Sequence, residues 1–243
     1  MSEKGNQAVK TVSFMMLITL FGKILGMVRE QLLAANYGTD MQAAAFLLAS
    51  RIPRTFFDVI FASAISASFI PVFVEYLQKK GRQEAFSLAN RFITMISTVT
   101  LLMMLLGMAF AKPLTLLIAP GYDVETVTLC VGLLRMLFPT MLFTAVAFSF
   151  VGILQSLEEF NVPAALSVVS NGVLILYYIF FNEKFGILGL TVAFLIGWAM
   201  QAVIQIPSLW KKGYHYHPDF HFKDEGLRKI GKLMLPVMVS TWI

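Results

Sequence analysis

Residues 9–30 read VKTVSFMMLITLFGKILGMVRE, an apolar run from Val9 to Val28 that carries Lys23 inside it and closes on Arg29-Glu30. A bilayer core about 30 Å thick is crossed by roughly 20 apolar helical residues, so this stretch is long enough to span. Runs of the same kind recur along the chain. They cover Met41 to Leu77, interrupted by Arg51, Pro53, Arg54 and Asp58, then Phe86 to Phe110, Thr126 to Leu154, Val162 to Phe181 and Ile187 to Leu209, and a last run opens near Leu227 and reaches Ile243. The runs are continuous rather than alternating at period two, and a backbone in lipid must satisfy its own hydrogen bonds, which selects helices over a barrel. The expected fold is an all-α polytopic membrane helix bundle, with six complete transmembrane helices and the start of a seventh.

Composition agrees with that reading. Of 243 residues, 58% are hydrophobic and 14% charged, and the mean hydropathy is +0.75. A soluble domain carries about 25% charged residues, so an ordinary cytosolic enzyme is excluded. The one cysteine, Cys130, lies in an apolar run, which leaves neither a disulfide framework nor a cysteine metal cluster within the chain. The Met and Phe residues, as in Leu101 to Leu106, read as packing or lipid-facing side chains.

The net charge of +5 would suggest nucleic acid in a soluble chain. In a membrane chain it records the cytoplasmic excess of basic residues instead, so no nucleic-acid partner is expected. Lys4, Lys10, Lys79, Lys80, Arg82, Lys211, Lys212 and Lys223 fall on one side of the bundle, against Lys112 and Lys184 on the other. This asymmetry puts the N-terminus in the cytoplasm. The first run is too long for a signal peptide, and Arg29-Glu30 follows it with no small-residue cleavage site.

The informative residues are those that hydropathy would exclude. Lys23, Arg29, Arg51, Arg54, Asp58 and Arg135 lie within or at the ends of spans, where a central charge costs at least about 2.5 to 3.5 kcal/mol. A bland reading has Arg29-Glu30 marking a helix end, Arg54 and Asp58 neutralising each other at i, i+4, and the rest snorkelling. The functional reading is a cationic chamber, because bases outnumber acids and cluster on the first two spans. A buried positive surplus calls for an anion, and phosphate suits Arg and Lys. At about 100° per residue, Lys23 and Arg29 project roughly 120° apart, so they converge only on a broad cavity or a bent helix. Gly22 and Gly26 form a small-xxx-small face for close helix packing or local bending. Pro53, between Arg51 and Arg54, should kink or break its helix, as beside transporter binding sites.

No catalytic constellation is present: there is no HExxH, no Ser-His-Asp arrangement and no Gly-rich phosphate loop. Neither an enzyme nor a cofactor is indicated. His215, His217 and His221 have a spacing that suits a metal. Their alternation with Tyr214, Tyr216, Phe220 and Phe222 beside Lys211-Lys212 reads better as a strip at the cytoplasmic interface.

Several stretches together resemble the MurJ/MviN family, the lipid II flippases of the multidrug/oligosaccharidyl-lipid/polysaccharide exporter superfamily. They are Gly22 to Glu30, Ser50-Arg51-Ile52-Pro53, Ser66 to Phe73, Ala119 to Tyr122, Phe138-Pro139-Thr140, Gly152 to Ser156, Phe160 to Ala164, Gly226 to Lys229 and Leu235-Pro236. The matches run in order along the whole chain. The resemblance implies one lobe of a V-shaped two-lobe transporter around a central cationic cavity. It implies a substrate, the undecaprenyl-pyrophosphate-linked peptidoglycan precursor lipid II, flipped from the cytoplasmic to the outer leaflet of the bacterial plasma membrane by alternating access. It also implies that Lys23 and Arg29 contact the head group, with Arg51 on a third basic position. Many relatives carry another Arg a few residues after the proline, followed by Ala-Glu-Gly-Ala. Here Thr55-Phe56-Phe57-Asp58 and Phe61-Ala62-Ser63-Ala64 stand instead, and Arg54 supplies a charge from a shifted position.

The resulting expectation is an N-terminal six-helix lobe over residues 1–212, a cytoplasmic inter-lobe loop over 213–225 and the start of a seventh helix over 226–243. The C-terminal lobe is expected in the same longer chain, of which this is a fragment, and membrane lipids surround both. The substrate-binding set is Lys23, Arg29, Arg51 and Arg54. Alternatives are an exporter of another polyprenyl-linked polysaccharide or a nontransporting scaffold for cell-wall synthesis. A cationic-drug exporter would need an acidic surplus, and a lipid phosphate enzyme more acids or His than Glu30 and Asp58.

Overall fold

The computed structural model describes residues 2–57 and 65–240, and they are almost entirely helical. Helix α1 (Ser2–Tyr37) is followed by α2 (Met41–Phe57), a π-helical turn at Ile65–Phe69, α3 (Ile70–Lys79) and α4 (Arg82–Ala109). Then come α5 (Ala111–Ile118), α6 (Val124–Leu137), α7 (Thr140–Ser156), α8 (Asn161–Ala164), α9 (Leu166–Phe180), α10 (Asn182–Val203), α11 (Ile206–Lys211) and α12 (Glu225–Ser240). Among the described residues, five stretches are long and apolar enough to cross a membrane: Val12–Tyr37, Arg82–Ala109, Val124–Ser156, Asn161–Phe180 and Asn182–Lys211. The expected second span runs through residues 58–64, so it falls partly outside the described residues, as do Asp58, its pairing with Arg54, and Ile243.

Local chemistry sets the breaks inside these runs. Pro139 has no N–H to give the Arg135 carbonyl, and the run from Thr126 to Leu154 divides there into α6 and α7, with Thr140 Oγ1 bonding back to the Leu137 carbonyl at 2.6 Å. Pro53 behaves differently: α2 continues through it to Phe57, so the proline removes one backbone hydrogen bond without ending the helix. Asp123 starts α6 by accepting from the backbone N–H groups of Glu125 and Thr126, each at 3.1 Å. Gly186 enters α10 at φ +52°, a conformation a side chain would resist, and its carbonyl accepts from the Tyr177 hydroxyl at 2.6 Å.

The core lies where α2, α4, α6, α7 and α10 meet. Phe69, Phe73 and Phe92 are fully buried in a stacked series, with ring centroids 4.6 and 5.3 Å apart. Helix α4 approaches the α6–α7 break at Gly107, where an added Cβ would lie 2.2 Å from the Phe138 ring. Arg135, at the same break, is exposed and donates from Nε to the Met108 carbonyl at the end of α4 (3.2 Å), a helix-capping role. Helix α1 stands at the edge of the bundle, packed chiefly on α9.

Residues 213–224 lie along the first half of α4. Arg91 bonds Asp219 from Nε at 2.9 Å and Asp224 from Nη1 at 2.6 Å. The other oxygen of Asp224 accepts from the N–H groups of Gly226 and Leu227, so one carboxylate both caps α12 and ties it to α4. Tyr214, buried, donates to Asn90 at 2.8 Å, and the Asp219 N–H donates to Thr94 Oγ1 at 3.1 Å. The Asp219 carboxyl is held down at about 2, first by the backbone N–H of His221, then by the His221 ring and Arg91. His221 thus engages a carboxylate in this loop, its Nδ1 being 2.7 Å from Asp219.

Candidate functional site

A cavity of about 660 Å³ opens between α1, α7, α9 and α10, and Lys23, Arg29 and Arg54 all line it, with Glu30 as the one acid among the described lining residues. The 120° separation of Lys23 and Arg29 on α1 is accommodated because this cavity is broad and covers the helix from Met15 to Glu30. Arg51 lines a smaller recess of about 100 Å³ instead, and Arg29, Glu30 and Arg54 border both spaces. All four basic residues therefore gather at one place, three in the main chamber and one beside it.

Their surroundings differ. Arg29 is the anchored one: its side chain is 20% exposed, and it donates from Nη1 to Asn171 Oδ1 at 3.1 Å and from Nη2 to Glu30 at 3.2 Å. Glu30 is 72% exposed, so it neutralises Arg29 only weakly. Lys23 is exposed to the cavity and makes no hydrogen bond or ion pair among the described residues. Among the described lining residues, the cations Lys23, Arg29 and Arg54 outnumber the acid Glu30.

Asn171 is the member that sequence reasoning missed. It is 7% exposed on α9, and while its Oδ1 receives Arg29, its Nδ2 donates to the Gly22 carbonyl at 3.1 Å. One amide thus fixes the guanidinium and fastens α9 to α1. Close approach makes this possible: a Cβ on Gly22 would lie 2.2 Å from Ser167 Oγ, and one on Gly26 would lie 3.5 Å from Asn171 Nδ2. Interhelical hydrogen bonds beside small residues are the usual glue of membrane helices. The available signal was the Ser170-Asn171 pair inside an otherwise apolar helix.

The arrangement can hold an anion with several oxygens, through one preset fork and one mobile ammonium. The uncharged lining includes Gln155, Gln201 and Trp198. The hydrophobic groove between α9 and α10, about 480 Å³ around Tyr177, Phe181 and Phe185, is a separate feature with an almost wholly apolar surface.

Comparison with known proteins bears on the family and the fold. A family model described as lipid II flippase MurJ matches residues 33–243. That match includes Arg51 and Arg54 and begins after Lys23 and Arg29. A probable lipid II flippase MurJ from Buchnera aphidicola is 31% identical over 228 residues, covering 92% of this chain and 45% of the relative. Among solved structures, a lipid II flippase MurJ in an inward closed conformation superposes with a TM-score of 0.77 at 25% identity, covering 93% of this chain and 47% of that one. A MATE transporter of Vibrio cholerae in a bent form shares the fold, with a TM-score of 0.76 at 16% identity over 98% of this chain and 54% of its own. The chain spans about half the length of the curated relatives it matches. It is a multi-pass, all-helical membrane chain with the fold of one transporter lobe, and it belongs to the lipid II flippase MurJ family.

Proposed function

We propose that this chain is the N-terminal lobe of a flippase that carries lipid II across the bacterial plasma membrane by alternating access. The observation that supports it most is the convergence of Lys23, Arg29 and Arg54 on one cavity, where Lys23 makes no hydrogen bond or ion pair among the described residues. A cation with no partner inside a span, as Lys23 stands among the described residues, is costly. A diphosphate supplies the missing negative charge, while the polyprenyl tail remains in the lipid.

In this reading Arg29, oriented by Asn171, receives the diphosphate as a fixed fork, and Lys23 swings to it as a mobile point charge. Arg54 adds a third cation, and Arg51 reinforces the field from the adjoining recess. Gly22 and Gly26 keep α1 against α9, so the site moves as part of a rigid body. Residues 1–212 form the lobe, residues 213–225 the cytoplasmic connection, and residues 226–243 open the helix that leads to a second lobe. Rocking of the two lobes then exposes the loaded site to the opposite side. The basic surplus at the ends of the spans supports a cytoplasmic N-terminus. No bond in the substrate is made or broken, so the lobe is not an enzyme.

The test is translocation of lipid II in proteoliposomes by the full-length protein. Lys23→Ala and Arg29→Ala should insert normally and lose transport. Transport at the wild-type rate by both variants would favour the scaffold reading and end this one.

A further inference from the structure

The cavity has a second, chemically different wall, and the proposed binding of a lipid diphosphate leaves it unexplained. Trp198 lines the chamber half-buried, and one face of its indole is covered by Phe194, with ring centroids 4.0 Å apart and planes within 12°. The backing fixes the ring plane and leaves the other face as the accessible one. Gln155 and Gln201 line the same space, and neither side-chain amide is hydrogen-bonded among the described residues. Two unsatisfied amides offer donors and acceptors in equal number. A bare diphosphate, which only accepts, can take their N–H groups but leaves their carbonyl oxygens without a donor.

This wall stands close to the cationic one. An added Cβ on Gly197 would lie 3.2 Å from the Ser170 carbonyl oxygen, so Trp198 sits at the level of α9 that carries Asn171, the residue holding Arg29. A ligand gripped at Arg29 therefore brings whatever it carries next to an aromatic face flanked by amides. That combination suits a pyranose: its axial C–H bonds rest on the electron-rich indole face, while its hydroxyl and acetamido groups pair with the amides.

We infer that Trp198, Gln155 and Gln201 form a saccharide subsite that reads the sugar joined to the diphosphate. The inference rests on the proposed diphosphate binding and deepens it. The cations supply affinity for any polyprenyl diphosphate, and this wall supplies the preference for a glycosylated one. Hydrogen-bonding sites discriminate strongly because a ligand lacking the partner group leaves them unpaired.

Binding by the full-length protein in detergent tests this, with three probes: undecaprenyl diphosphate, the same lipid bearing the disaccharide, and the lipid bearing disaccharide and peptide. The wild type should prefer both glycosylated lipids over the bare one. Trp198→Leu and the double variant Gln155→Met/Gln201→Met should shrink that preference about tenfold, a loss of one or two hydrogen bonds or a stacking contact. Trp198→Phe should retain most of it. Lys23→Gln should weaken all three probes together and keep the ratio. A preference unchanged by the Trp198 and Gln variants, or one that arises only with the peptide-bearing lipid, overturns the saccharide subsite. If Lys23→Gln binds all three as tightly as wild type, the diphosphate reading itself fails.

Discussion

Asn171 gives the sharpest handle on how the charged site is built. Asn171→Leu keeps the branched side-chain shape and removes two interactions at once: the acceptor for Arg29 Nη1 and the donor to the Gly22 carbonyl, both at 3.1 Å. A hydrogen bond to a charged group contributes about 1.5–3 kcal/mol, and an interhelical bond in a membrane protein averages about 0.6 kcal/mol. The Gly22 carbonyl retains its place in the α1 helix, so it loses only the smaller amount. The sum is about 2–3.5 kcal/mol, enough to lower the midpoint of thermal unfolding by several degrees. Asn171→Asp separates stability from binding. Its carboxylate grips Arg29 harder but faces the Gly22 carbonyl oxygen, so the two effects on stability oppose each other. Its effect on binding has one sign, because a second acid beside Glu30 cancels one of the surplus cations. Affinity for undecaprenyl diphosphate should fall at least about tenfold. An Asn171→Leu protein that melts with the wild type, or an Asn171→Asp protein that binds the diphosphate lipid undiminished, would refute the reasoning.

Other expectations follow from the packing and the loop. Gly107→Ala should cost about 1–3 kcal/mol by overpacking against the buried Phe138 ring, whereas Gly121→Ala, with open space around it, should leave the melting curve in place. Arg91→Leu strips two partly buried carboxylates of their cation and should speed amide hydrogen exchange across residues 213–224. Lys79→Ala, which removes an exposed i, i+4 pair with Glu75, should leave the melting curve in place. Because the Asp219 carboxyl is held at about 2 against an ordinary value of 3.8, its hold on the loop is complete above about pH 4 and is lost as pH falls through about 2. Exchange at the Asp219 amide, corrected for its intrinsic rate, should be slow at pH 5 and rise near pH 2.

The spans were legible because continuous apolar runs in a chain this poor in charge have no other stable use. The basic site was legible for the complementary reason: Lys23, Arg29 and Arg54 each violate the run they sit in, and a violation at that cost needs a wet cavity or a partner. Asn171 escaped notice because an amide in an apolar helix is a mild exception, and its partners Gly22 and Arg29 are more than 140 positions away in the chain. Pro139 and Pro53 look alike in the sequence, yet one divides a span and the other is carried inside α2. That outcome depends on how the neighbouring helices pack. The grip of Arg91 on Asp219 and Asp224 was equally hidden, since the residues from Tyr214 to Phe222 advertise aromatics and histidines while the anchoring is done by two carboxylates against α4.

Native mass spectrometry of the full-length protein with undecaprenyl diphosphate puts the central claim to the most direct trial. The wild type should retain the lipid as a stable adduct, and Lys23→Gln/Arg29→Gln should lose most of it at equal protein and lipid concentrations. Equal adduct populations for the two proteins would contradict the account.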